Sequence, residues 1–130
     1  MKVLLDTHVW IWMVIGDERL SAPARRLLDD PTTEIHLSAV SVWELLVLTR
    51  KGRLTVDREP ADWARFWCRE LGVTLLPMDI DVAIRSERLG DYPAPDPGDR
   101  FIIGTALVHD LPLVTVDRRI RGWGGVRTLG

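Results

Sequence analysis

The chain has one cysteine, Cys68, in 130 residues, which excludes an internal disulfide. Its three histidines, His8, His36 and His109, form no Cys/His cluster with zinc spacing. Lysine is nearly absent, since only Lys2 and Lys51 are Lys among 17 cations. No apolar run is long. The stretch from Val9 to Ile15 falls far short of the ~20 residues a membrane-spanning helix needs. The start, Met1-Lys2-Val3-Leu4-Leu5-Asp6, reaches an acid too early for a signal peptide. A soluble, cytoplasmic protein with no membrane association is expected. There is no repeat at solenoid periods and no low-complexity tract. The formal charge of −2 excludes a strongly basic nucleic-acid coat, although not a locally basic face.

What is present is an ordinary globular balance, 46% hydrophobic and 28% charged. The length fits one domain spanning 1–130, since single domains cluster near ~100–150 residues. Asp outnumbers Glu by 13 to 6. Asp favours caps, turns and hard-metal sites over helix interiors, so the placement of those residues carries information.

Short apolar runs alternate with amphipathic segments. Strands are expected at Lys2 to Leu5, Ile35 to Leu37, Val73 to Leu76, Leu113 to Val116 and, fifth, Val126 to Leu129. Helices are expected at Val9 to Ile15, from a Ser21 cap to about Asp30, and from a Ser38 or Ser41 cap to Gly52. Three more are expected, at Trp63 to Leu71, from an Asp79 cap to about Leu89, and at Phe101 to Val108. The segment Asp91 to Gly98, with Pro93, Pro95 and Pro97, reads as a loop. Strands that are apolar throughout are covered by helices on both faces. The pattern predicts an α/β fold: a three-layer α/β/α sandwich around a mainly parallel sheet of four to five strands.

In such sheets, sites form outside the carboxyl ends of the strands. Asp6 ends the first strand and Asp117 follows the fourth. Asp96 and Asp99 open the helix that precedes the fourth strand. Glu44 lies in the first or second turn of the helix after the second strand. All five belong at one sheet edge. Their mutual repulsion and desolvation are severe without cations, and hard divalent ions, Mg²⁺ or Mn²⁺, resolve both. Such sites activate water for in-line displacement at phosphorus. Each acid also has a plainer reading. Asp96 is a good N-cap before Pro97, Asp99 suits the positive helix end, Asp117 starts a turn, and Glu44 sits on a solvated face.

Val3-Leu4-Leu5-Asp6-Thr7-His8, Ser41-Val42-Trp43-Glu44, Asp96-Pro97-Gly98-Asp99-Arg100 and Thr115-Val116-Asp117 together resemble the motifs of PIN-domain ribonucleases. More narrowly, they resemble the VapC toxins of type II toxin–antitoxin modules, over essentially the whole chain. The resemblance implies a Mg²⁺- or Mn²⁺-dependent endoribonuclease with Asp6, Glu44, Asp99 and Asp117 as catalytic, metal-holding acids. Asp96 matches an outer acid, and Thr7 and Thr115 match hydroxyls that flank the site. It also implies an RNA substrate cut to 5′-phosphate and 3′-hydroxyl ends, a homodimer, and a VapB-type antitoxin partner. The chain departs from the pattern at Gly98, where a bulky residue is usual, and at Gly104, where Ala is usual.

Arg100, Arg118, Arg119 and Arg121 adjoin the expected acidic edge and suit bidentate phosphate contacts, or else form a solvated rim or antitoxin salt bridges. His8 is a candidate RNA contact or a capping residue. Among the six tryptophans, exposed rings are available to stack bases, to line a groove for a partner helix, or to pack in the core. Trp63 and Trp67 share a helix face. Rival functions are an aspartyl phosphotransferase, a phosphoacceptor domain and a non-catalytic metal- or partner-binding module. The first wants an acid at position 8, which is His8, and the first two both want a placed Lys that is absent.

Overall fold

Residues 3 to 5 are all apolar, and strand geometry sends successive side chains to opposite faces. Val3 and Leu5 therefore join one core and Leu4 another, which requires helices on both sides. The computed structural model describes residues 1–130 and meets that requirement. Five strands form one sheet: β1 (Lys2–Leu5), β2 (Glu34–Ser38), β3 (Thr74–Leu76), β4 (Leu113–Val114) and β5 (Thr128–Leu129). The order is β3-β2-β1-β4-β5, with every pairing parallel. The helices are α1 (Thr7–Ile15), α2 (Ala22–Asp29), α3 (Ala39–Arg50), α4 (Pro60–Glu70), α5 (Ile80–Glu87), α6 (Pro97–Val108) and α7 (Arg118–Trp123).

One core joins Val3, Leu5, Leu37 and Val114 to Trp10 of α1, Leu28 of α2 and Trp63 of α4. Trp10 is fully buried and meets Trp63 edge-on at 5.5 Å. The opposite core joins Leu4 and Leu113 to Ile102 and Ile103 of α6 and Ile120 of α7. Helix α3 contributes Leu45 to the first core and Val40 to the second. This is the expected three-layer sandwich, with five strands and no antiparallel member. No helix is long and apolar enough to cross a membrane.

Local chemistry sets the boundaries. Ser38, not Ser41, caps α3, accepting the Val40 N–H at 3.1 Å. Helix α6 begins at Pro97, four residues before the expected Phe101, because the Asp96 side chain accepts the N–H groups of Gly98 and Asp99. The expected loop therefore ends at Asp96. Strand β4 is shorter than expected because its partner β1 leaves the sheet at Asp6 to start α1. Helix α7 was not expected. Asp117 caps it and Gly124, at φ 76°, ends it, while Ile120 is its only buried residue. Such a short, Arg-rich turn shows no apolar periodicity.

Gly104 reports a close approach. A Cβ there would overlap the Ser86 hydroxyl and lie 3.0 Å from the Ser86 backbone nitrogen. Helices α5 and α6 touch at this point, which explains why the usual Ala is missing.

Candidate active site: an acidic pocket at the sheet edge

The strand order runs outward from β1 in both directions, so β1 and β4 flank a topological switch point. Asp6 leaves β1 and Asp117 follows β4 at this crevice. The pocket of about 380 Å³ above it is lined by Asp6, Glu44, Asp96, Asp99 and Asp117, with Thr7, His8, Trp12, Val116, Arg19 and Arg119. The four acids of the resemblance and the outer Asp96 thus meet in one place.

Asp6 is 8% exposed and is held at both oxygens. Oδ1 accepts the Thr7 N–H at 2.8 Å and Oδ2 accepts the Thr115 hydroxyl at 2.7 Å. Thr115 in turn accepts the Asp117 N–H at 3.0 Å, which joins the ends of β1 and β4. The Thr7 hydroxyl donates to Glu44 Oε1 at 2.6 Å. A hydroxyl has one proton, so the 2.8 Å contact between Thr7 and Ser41 is donated by Ser41. The chain Ser41–Thr7–Glu44 fixes the acid of α3 against α1. Asp117 caps α7 by accepting the Arg119 and Ile120 N–H groups. The Arg119 guanidinium lies 3.5 Å from Asp117 and 3.8 Å from Asp99.

The electrostatics are unbalanced. Burial pushes Asp6 up most strongly, with Asp117 adding repulsion against the lowering effects of Thr115, Thr7 and His8. Burial also raises Glu44, opposed by Thr7 and aided by Asp6 and Asp96. Asp99 is pushed up to about 7, first by burial and then by Asp6, Asp96, Asp117 and Glu44. Below the acids, the buried Tyr92 hydroxyl has no hydrogen-bond partner, and burial with the Asp99 and Asp117 charges raises it to about 12.

The other expected residues divide. Arg119 lines the pocket and His8 does too, its ring 5.7 Å from Trp12. Arg100 does not, because its guanidinium donates to the Ser86 carbonyl and lies 5.9 Å from the Tyr92 ring centre. The helical step after Asp99 carries it toward α5. Arg121 bonds the Thr115 carbonyl at 3.1 Å, bracing the turn from beneath, and Arg118 is exposed outside the pocket. One contributor, Arg19, had no sequence signal of its own, and Ser41, expected as a cap or as part of the second motif, takes a different role. Arg19 reaches the pocket from the turn after α1, held by Asp17 at 2.8 Å and lying over Trp12 at 4.8 Å. Ser41 acts only through Thr7. Neither lysine lines the pocket, which removes the phosphotransferase and phosphoacceptor rivals.

The donor set fits a hard divalent cation. It is all carboxylate and hydroxyl oxygen, and it carries more negative charge than Arg19 and Arg119 balance. No three of the acids stand within common ligating reach, with Asp6, Glu44, Asp96 and Asp117 each bonded to its own donor and Asp99 to none. Gly98 bears on the same point. A Cβ at 98 would lie 2.6 Å from Glu44 Oε2, so the missing side chain lets that carboxylate lie against the start of α6.

A parallel sheet with acids gathered at its switch point defines an α/β/α protein with an acidic pocket at the carboxyl edge of its strands. The chain belongs to the PIN domain family, whose model matches residues 3–124, and within it to the VapC type. It is 34% identical to Ribonuclease VapC22 of Mycobacterium tuberculosis over 122 residues, 92% of this chain and 89% of the relative. Among solved structures it resembles FitAcB from Neisseria gonorrhoeae, at 26% identity and TM-score 0.66, covering 100% of this chain and 97% of the other. It also resembles DNA-bound VapBC from Salmonella typhimurium in fold, at 20% identity and TM-score 0.73, covering 99% and 97%.

Proposed function

We propose that this chain is an endoribonuclease toxin that cuts RNA with the help of Mg²⁺ or Mn²⁺. The observation that carries this reading is the gathering of Asp6, Glu44, Asp99 and Asp117 in one pocket, with Asp99 raised to about 7. The ribonuclease relative and the toxin–antitoxin structures support it.

These four acids would hold the cation. When bound, such an ion supplies a water of lowered pKa and neutralises charge on the phosphoryl oxygens. The protein's own groups supply the rest. Thr7 and Thr115 keep Asp6 and Glu44 in fixed rotamers and oppose their protonation. Arg119, already beside Asp99 and Asp117, attracts the substrate phosphate to the pocket mouth. Asp99 holds a proton below about pH 7, so the pocket would hold a cation more tightly as pH rises. The products carry 5′-phosphate and 3′-hydroxyl ends. In the cell the chain is cytoplasmic, forms a homodimer and is neutralised by a VapB-type antitoxin.

The test is cleavage of a single-stranded RNA by purified wild-type and Asp6→Asn proteins, with Mg²⁺, with Mn²⁺ and with chelator. Cleavage by the wild type alone, and only with a divalent ion, is expected. Full metal-dependent cleavage by folded Asp6→Asn protein would refute the assignment. Cation binding without any cleavage supports a non-catalytic module instead.

A further inference from the structure

Beside the acid pocket a second hollow of about 550 Å³ opens. Its own walls are Trp43, Val47 and Leu48 of α3, Arg53 just beyond that helix, and Pro97 and Gly98 of α6. The two hollows adjoin, since His8, Glu44 and Asp96 line both.

Three observations set this hollow apart. Trp43 is 60% exposed, and every other Trp, Tyr and Phe ring of the chain is buried or half-buried. It directly precedes Glu44, and Val47, four residues on, shares its helix face and extends the apolar wall. The Arg53 side chain is exposed and enters none of the chain's seven ion pairs. Gly98 lets the Glu44 carboxylate, which lines both hollows, lie against the start of α6, where a Cβ would meet it.

We propose that this hollow is a nucleobase subsite, in which Trp43 stacks an unpaired base next to the cleaved phosphate and Arg53 holds the phosphate beyond it. The proposal rests on the ribonuclease reading above and deepens it. An RNA strand with a phosphate at the acids carries its neighbouring nucleotide into the adjoining hollow. An indole face accepts any base, and a nearby guanidinium suits the backbone. An apolar partner helix fits the hollow less well, because seating it would desolvate Glu44 and Asp96. A base reaches the indole only when it is free of a duplex, so a single-stranded RNA is the probe.

The test is steady-state cleavage of a short single-stranded RNA with a mapped cut, by wild type, Trp43→Phe, Trp43→Ala and Arg53→Gln. Each is run with intact RNA and with RNA abasic at either nucleotide flanking the cut. Trp43→Ala is expected to raise KM roughly 5- to 150-fold, with kcat nearly unchanged. Trp43→Phe recovers most of that loss, and Arg53→Gln raises KM while flattening its dependence on salt. One abasic position reproduces the Trp43→Ala effect and adds nothing to it in that variant, as coupled partners must. An unchanged KM in folded Trp43→Ala, or Trp43 and abasic effects that simply multiply, overturns the subsite while leaving the ribonuclease reading intact. A variant with wild-type RNA kinetics that has lost inhibition by an antitoxin peptide overturns it in favour of a protein-binding groove. Absence of any wild-type cleavage overturns both readings together.

Discussion

Neutralising Asp99 should stabilise the protein while it removes the activity. In Asp99→Asn the carboxylate is replaced by an isosteric amide that no longer meets Asp6, Asp96, Asp117 and Glu44 as a like charge. The wild-type group moves from an ordinary 3.8 to about 7 on folding. At about 1.4 kcal/mol per tenfold change in proton affinity, that displacement corresponds to roughly 4 kcal/mol of destabilisation when the group is ionised. The carboxylate borders an open pocket, so solvent screening reduces this to about 1–2 kcal/mol. The opposing loss is the Arg119 pair at 3.8 Å, and an exposed pair of that kind is worth less than ~1 kcal/mol. Repulsion therefore wins. Between pH 3.8 and about 7 the folded wild type keeps the Asp99 proton and the unfolded chain has lost it, so wild-type stability falls as pH rises through this window. The variant lacks that slope. Its melting temperature should exceed the wild type's by about 3–10 °C at pH 8, and the gain should shrink toward nothing by about pH 4. Circular dichroism melts at low salt without divalent ions read the difference. Added Mg²⁺ should then raise the wild type by mass action and the variant less. A variant that melts no higher than wild type at pH 8, or gains equally at both pH values, would refute the reasoning.

Thr115→Val removes the hydroxyl that Asp6 accepts at 2.7 Å, and divalent-ion affinity by calorimetry should fall about 10- to 100-fold with the fold retained. Gly104→Ala forces a Cβ onto Ser86 between two packed helices and should lower the urea-derived stability by about 1–3 kcal/mol. Gly98→Ala pushes on the Glu44 carboxylate that Thr7 holds and comes within 3.2 Å of the Asp96 cap oxygen, so it should lower cleavage and cation affinity and cost about 1 kcal/mol in the urea assay. Trp10→Ala empties a fully buried site against Trp63 and should cost about 3–5 kcal/mol in the same unfolding assay, without changing which RNA bond is cut.

The layered fold was legible because its signals are local. The apolar run Val3-Leu4-Leu5 is too short for a helix, and as a strand it must be buried on both faces. Ser21 with Pro23, Asp79 and Asp96 with Pro97 carry their cap chemistry in adjacent residues, and each caps the helix it introduces. The Asp96 cap and a proline-rich loop running to Gly98 were competing readings of the same residues. The cap won because its two N–H partners are both satisfied there. Helix α7 escaped because six residues with one buried side chain have no period to detect.

Sequence alone determined the strand–helix alternation and the sheet edge to which the acids belong. These follow from backbone sterics, hydrogen-bond capping and the direction of a parallel strand, none of which needs distant residues. Tertiary structure decided what depends on contacts 14 to 109 positions apart. It turned Arg100 away to Ser86 and brought Arg19 in, joined Ser41, Thr7 and Glu44 into one relay, and hung Asp6 on Thr115. It also left Trp43 open beside the acids while burying Trp10 and Trp63. A side chain's direction and its neighbours' charges are set only when the layers close. The same residues that read as four separate acids in sequence therefore become, in the fold, one overcharged pocket with a hollow beside it.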